Sequence, residues 1–241
     1  MADTLHSQYI KGNLAYWQDN RKRLIDAIGK DVVKYIDDFV SGPATDTAFD
    51  TDWTVTRVEA GLGGESTVTR TDAVGGALLV TTDNAENDGV NMQQIGEAFE
   101  LTSDQHLYFG AFGLKLSDAT QSDFFVGLAI TDTDILGGVT DRIGFEKLDG
   151  STDVKFMLEK DSTETLSSAL VTAANNTAVD LEFYFDGSTV EVFVNGASVA
   201  TPAVTNLPND EFLRVSLHFL TGAAAAITLT LDKLVVIQIG R

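Results

Sequence analysis

The sequence predicts an all-β protein, an antiparallel β-sandwich carried behind an N-terminal arm that contains a helix. Three observations predict it. Short runs from Trp53 to Ile239 alternate apolar and polar residues with a period of two. Dipeptides of the turn-forming kind separate them: Asp88-Gly89, Gly137-Gly138, Asp149-Gly150, Asp186-Gly187 and Asn195-Gly196. A different spacing, of three and four, is confined to the first forty residues. The chain therefore divides into an arm over residues 1–42 and a sandwich, of the jelly-roll kind, over 43–241.

In the arm, residues 1–13 read as a polar leader without the charged-then-apolar design of a secretory signal. Leu14, Trp17, Ile25, Ile28, Val32, Ile36 and Phe39 then fall on one helical stripe. Gly29 weakens its middle by about 1 kcal/mol relative to Ala. Ser41-Gly42-Pro43 stops the helix by the pattern usual at helix ends. Such a stripe packs either on its own sandwich or on a neighbouring subunit or scaffold, because it does not stay in water. Trp17, Ile25, Ile28, Val32, Ile36 and Phe39 are the candidate assembly residues, and a homo-oligomer with three copies favoured is expected.

Beyond Pro43 the expected strands are Trp53–Val58, Ala77–Thr82, Glu97–Leu101, Leu107–Leu116, Phe124–Thr131, Arg142–Lys147, Val154–Glu159, Ala178–Phe185, Val190–Val194, Leu213–Phe219 and Ile227–Ile239. Leu213-Arg214-Val215-Ser216-Leu217-His218-Phe219 alternates without a fault, as a half-buried strand should. Short strands with no helix between them indicate antiparallel sheets rather than βαβ units.

Composition sets the outer bounds. With 44% hydrophobic and 22% charged residues the chain is a folding one, and no apolar run reaches the roughly 18 residues of a membrane span. Cysteine is absent, which excludes disulfides, thiol nucleophiles and cysteine-held metals and leaves stability to packing and assembly. Synthesis in a host cytoplasm is expected. The net charge is −20, yet residues 1–40 hold six Lys/Arg and six Asp, so the excess lies wholly on the sandwich. A surface this acidic is repelled by nucleic acids and anionic membranes.

The hairpin Val179-Asp180-Leu181-Glu182-Phe183-Tyr184-Phe185-Asp186-Gly187, followed by Val190-Glu191-Val192-Phe193-Val194-Asn195-Gly196, resembles those of laminin-G-like and concanavalin-like jelly rolls. The resemblance implies a fold that hosts lectins, glycosidases, adhesion modules and viral surface proteins. A second one is broader. The helical leader, Asp37-Asp38-Phe39-Val40, and Thr82-Asp83-Asn84-Ala85-Glu86-Asn87-Asp88-Gly89 before Gly96-Glu97-Ala98-Phe99 look like tailed-phage virion proteins. That likeness implies a non-enzymatic capsid decoration or cement protein on a virion surface, with the major capsid protein as partner. It transfers no functional residue. The alternatives are a carbohydrate-binding module or tail-fibre adhesin, with a glycan as partner, and a jelly-roll glycoside hydrolase.

Candidate chemistry is sparse. Glu159-Lys160-Asp161-Ser162-Thr163-Glu164 has the Glu-x-Asp-x-x-Glu spacing of a jelly-roll glycosidase family, in which two close carboxylates act on one sugar. That family interleaves apolar residues; here Lys, Ser and Thr interleave, as in a solvated hairpin. No catalytic residue and no cofactor are therefore expected. Asp83, Asn84, Glu86 and Asp88, and also Asp132 and Asp134, offer the hard oxygens that calcium takes, but Asx-rich turns occur equally without metal. His6, His106 and His218 lie too far apart to indicate a zinc site or triad, and Gly61-Leu62-Gly63-Gly64 lacks the Lys-Ser pair of a phosphate loop.

Overall fold

A computed structural model describes residues 5–18, 23–40, 49, 52–61 and 64–240. In chain order its strands are β1 (Leu5–Ile10), β2 (Asn13–Gln18), β3 (Arg23–Ile28), β4 (Val32–Asp37), β5 (Trp53–Val58), β6 (Thr67–Thr71), β7 (Ala77–Thr81), β8 (Gly89–Gln94), β9 (His106–Leu116), β10 (Ser122–Ala129), β11 (Arg142–Lys147), β12 (Asp153–Lys160), β13 (Thr163–Leu166), β14 (Val171–Thr172), β15 (Val179–Phe185), β16 (Val190–Val194), β17 (Ala197–Ala200), β18 (Arg214–Thr221), β19 (Thr228–Leu231) and β20 (Lys233–Ile239). Two antiparallel sheets face each other. One has eight strands, in the order β13-β12-β11-β10-β18-β8-β5 with β14 added to β12. The other has nine, in the order β17-β16-β15-β9-β19-β7-β6, with β20 bridging β9 and β4.

Alternation decides which side chains enter the space between the sheets. Phe124, Val126 and Leu128 of β10 point inward with Ile143 and Phe145 of β11, Phe156 of β12 and Val215, Leu217 and Phe219 of β18. They meet Phe109, Leu181, Phe183 and Val236 from the nine-stranded sheet. Phe183 stacks on Phe109 at 5.2 Å and meets Phe156 edge-on at 5.3 Å, the offset geometries aromatic rings prefer. Three of the five turn dipeptides carry the positive φ their chemistry predicts: Asn195 and Gly196 take 50° and 74°, and Gly150 and Gly187 take 69° and 93°. Gly137 and Gly138 do not, and Gly89 opens β8 instead.

The expected helix in the arm is not present; the described residues there are strands. β1, β2 and β3 form a separate antiparallel sheet, and β4 pairs with β20 along its whole length. The reason lies in which apolar residues are buried. Lys11-Gly12 turn with φ of 48° and 80°, which fixes a tight hairpin between β1 and β2. Ala15, Trp17, Leu24 and Ala27 face inward and Ile25 and Ile28 outward. A bulge between Tyr16 and Trp17 sets the two sides out of step. Apolar residues on both faces of a bulged sheet reproduce steps of three and four without a helix. Ser41-Gly42-Pro43, the expected helix stop, lies outside the described residues, as do Leu62 and Gly63.

The small sheet covers the outer face of the nine-stranded one. Trp17 packs edge-on against Tyr184 at 4.9 Å, in a cluster with Tyr108, Phe193, Val235, Ile237 and Ile239. Arg23 Nε donates to the fully buried Glu182, which also accepts from the Tyr108 hydroxyl. Truncating either partner would strand the carboxylate. Glu97–Leu101 is not a strand but an irregular segment holding Leu213 by one bridge at Phe99. Ile227–Ile239 is two strands, divided at Asp232 where β9 passes from β20 to β19.

Candidate functional site

With one face of the eight-stranded sheet committed to the core, the alternate residues form its outer face. Cross-strand register arranges them in rows. One row runs Glu164, Glu159, Arg142, Ala129 and Arg214; another runs Lys155, Glu146, Phe125, His218, Asn91 and Thr56. Between them lie Met157, Gly144, Gly127, Ser216, Gln93 and Thr54.

Gly127 and Gly144 are register partners, and the pairing is tight. A Cβ at Gly127 would fall 2.2 Å from the Ile143 carbonyl oxygen, and one at Gly144 would fall 2.4 Å from that of Val126. The bare backbone leaves room for the Phe125 ring above it and lets two long side chains meet along β11. Arg142 reaches across Gly144, placing Nη1 3.3 Å from Glu146 Oε2. Its Nε donates to Glu159 Oε2 at 2.7 Å, and Nη1 donates to the Ile135 carbonyl at 2.6 Å. The guanidinium also lies 5.5 Å from the Phe125 ring centroid.

Glu164 is brought beside this group by the β12–β13 hairpin, whose turn residues Asp161 and Ser162 take φ of 50° and 61°. The motif is thus the hairpin its Lys, Ser and Thr imply. Its two-residue turn places Glu159 and Glu164 opposite each other on one face, where directly paired Cβ atoms lie roughly 5 Å apart. Two glutamates, Glu146 and Glu159, then hold one arginine, and Glu164 lies across from Glu159. Burial pushes the Glu146 carboxyl above the usual carboxylate range; Arg142 opposes the shift and the charges of Glu164 and Glu159 add to it. Glu146 is buried, and Glu164 is open to solvent.

The loop between β10 and β11 crosses the middle of this face. Ile135 and Val139 descend from it onto Phe125, Ala129 and Met157. On its far side is a polar groove of about 330 Å³ lined by Thr54, Thr56, Asn91, Gln93, Arg214 and residues 131–133. Asn91 Nδ2 donates to the Asp132 carbonyl at 2.7 Å, and Gln93 holds the Ile130 carbonyl and the Asp132 amide. Arg214 Nη2 lies 3.5 Å from Glu97. Asn91 Oδ1, Arg214 Nε and both ring nitrogens of His218 have no hydrogen-bond partner although buried. Burial pushes the His218 imidazole down to about 4, with Asp134, 4.0 Å away, opposing the shift.

The other sequence candidates lie elsewhere. Asp88 is buried and accepts from the Ala60 and Ala85 amides at 2.6 and 2.8 Å, which makes it a loop staple. Asn84 and Glu86 are exposed, Asp83 half-buried, and Asp132 and Asp134 belong to the crossing loop. Among the described residues no three His, Asp or Glu side chains converge as a cation's ligand set. Trp17 and Phe39 are buried, Val32 is half-buried, and Ile25, Ile28 and Ile36 are exposed. Trp53 is core, edge-on to Tyr35 at 5.9 Å. Glu146, Arg142 and the Asn91–Arg214 groove went unmarked in the sequence. The one signal for them was polar residues alternating with Ile143 and Phe145 around a glycine.

The sequence matches, over residues 84–235, the family described as glycosyl hydrolases family 32 C terminal. No curated protein matches it. The fold is that of jelly-roll glycanases. It is similar to an endo-1,3-β-glucanase from Streptomyces sioyaensis, at TM-score 0.62 and 12% identity over 90% of this chain and 99% of that one. It is also similar to a Bacteroides ovatus family 16 glycoside hydrolase solved with a mixed-linkage glucan product, at 0.60 and 10% over 84% and 99%. A Mycobacterium tuberculosis antigen described as a pseudo β-1,3-glucanase is similar at 0.58 and 11%, over 86% and 98%. These matches support the concanavalin-like jelly roll. They overturn the expectation of a non-enzymatic capsid decoration protein, because the family matched over most of the sandwich is one of glycosyl hydrolases. Of the features behind that expectation, the helical leader is replaced by strands among the described residues, and short Asx-rich segments and an acidic sandwich without cysteine are common to jelly rolls of any function.

Proposed function

The chain belongs to the glycosyl hydrolases family 32 C terminal family, and from that premise we propose that it is a glycoside hydrolase acting at the outer face of its eight-stranded sheet. One observation carries the reading: Arg142 holds Glu146 and Glu159 on one face with Glu164 opposite Glu159, and burial raises the Glu146 carboxyl. Glycosidic cleavage needs a carboxylic acid to protonate the leaving oxygen and a carboxylate to act as base or nucleophile. Glu146 is the proton donor, its carboxyl raised above the usual carboxylate range by burial. Glu164, exposed at the open edge of the sheet, is the base or nucleophile. Glu159 is a positioning residue, tied to Arg142, which in turn fixes Glu146. The β-glucans named for the similar folds are the first substrates to try.

The test is reducing-sugar release from β-1,3-glucan and mixed-linkage β-glucan. Glu146→Gln and Glu164→Gln are each expected to cut turnover by about 10²-fold or more, the usual worth of a positioned acid or base. Arg142→Lys should do less than either. Activity that survives both glutamine substitutions would remove the assignment. Binding of glycan with no turnover by the unsubstituted protein would make the face a recognition surface instead.

A further inference from the structure

Among the described residues β1 is an edge strand of the small sheet and pairs with β2 alone. Its residues Leu5, His6, Ser7, Gln8 and Tyr9 are all exposed. Edge strands in soluble proteins are ordinarily guarded by Lys, Pro, bulges or inward charges. Leu5-His6-Ser7-Gln8-Tyr9-Ile10 has none of these. The outward face of the same sheet is apolar as well. Leu5, Tyr9, Ile25 and Ile28 are exposed on it, and the half-buried Leu14 lies between Tyr9 and Ile28 in register.

Charge identifies the occupant. The first forty residues are neutral in sum, whereas the rest of the chain carries the whole excess of −20. Two copies approaching by a sandwich face bring like charge to like charge. Approaching by β1, they do not; Asp26, on the outward face, is already paired with Lys34 at 2.7 Å. We infer that this edge is a dimer interface, at which β1 pairs antiparallel with β1 of a second copy and joins the two small sheets into one of six strands.

The geometry fixes the register. A two-fold axis normal to the sheet keeps every residue on its own face, so only residues sharing a face oppose each other. With the axis through Ser7, Leu5 faces Tyr9 of the partner subunit and His6 faces Gln8 of the partner subunit, apolar on apolar and polar on polar. An axis through Gln8 would set Ser7 against an aromatic ring and His6 against an aliphatic side chain. A single edge strand closes in this way with two copies, not the three that the sequence favoured.

Because the chain contains no cysteine, an introduced thiol is unique. Directly opposed residues of antiparallel strands lie about 4.5–5.5 Å apart at Cα, within disulfide range. In the full-length protein, Ser7→Cys is expected to form a covalent dimer under mild oxidation, and Ser168→Cys, exposed on the sandwich, is not. Sedimentation should show a reversible dimer whose dissociation constant Tyr9→Glu weakens by about tenfold or more, with the circular dichroism unchanged. A monomer at about 0.1 mM would overturn the inference. So would equal crosslinking of the two cysteine variants, or an oligomer that Ser7→Cys fails to trap.

Discussion

At the residue scale, the outer face of the eight-stranded sheet depends on groups held in unusual protonation states. His218 is fully buried with neither ring nitrogen hydrogen-bonded, and burial brings it from an ordinary 6.5 to about 4. A group depressed in the fold contributes stability above its unfolded pKa and loses it as pH falls toward the folded value. Between pH 6.5 and about 4 the protein should therefore lose roughly 3 kcal/mol through this residue. His218→Gln should flatten that part of the profile in urea melts taken at successive pH values; an identical slope in the variant would contradict it. Glu146 has the opposite sign. Its raised carboxyl is protonated at low pH, so hydrolysis that uses it as the acid must fail as pH rises through its pKa. The sequence made His218 visible as one residue of an alternating strand. It could not show Glu146, Glu159 and Glu164 on one face near Arg142, because that depends on β11, β12 and β13 lying side by side and on the glycine between Arg142 and Glu146.

At the scale of elements, the sandwich was legible because its longer strands send alternate residues into the core. Leu213–Phe219 alternates in sequence because it alternates in space, and Asn195-Gly196 turns where the hairpin needs positive φ. The arm was not legible as strands. Its inward residues include the small Ala15 and Ala27, its outward ones the large Ile25 and Ile28, and a bulge shifts the phase between them. The small sheet is held by Trp17 with Ile10, Leu24 and Ala27 around it, by the Arg23–Glu182 ion pair and by Lys11 on Asp104. Trp17→Ala is expected to cost about 3–5 kcal/mol, the usual loss for a buried tryptophan. Hydrogen exchange should then speed up over residues 5–28 while β10, β11 and β18 keep their protection. Uniform acceleration would mean that the small sheet and the sandwich unfold as one unit.

At the scale of the molecule, three layers divide the work. The small sheet covers the nine-stranded sheet, the two large sheets enclose the core, and the remaining face carries the glutamates, the crossing loop and the polar groove. The small sheet covers β9, β15, β16 and β20 of the nine-stranded sheet, whereas the outer face of the eight-stranded one carries Glu146, Glu159, Glu164 and the unpartnered Asn91 and Arg214 atoms. The most direct measurement is a crystal structure of the Glu164→Gln protein soaked with a β-1,3-glucan or mixed-linkage oligosaccharide. The account predicts a glycosidic oxygen within hydrogen-bond reach of Glu146 and a sugar ring beside the substituted side chain at the open edge of β13. Sugar bound on any other face, with the glutamate cluster unchanged and empty at saturating oligosaccharide, would contradict it.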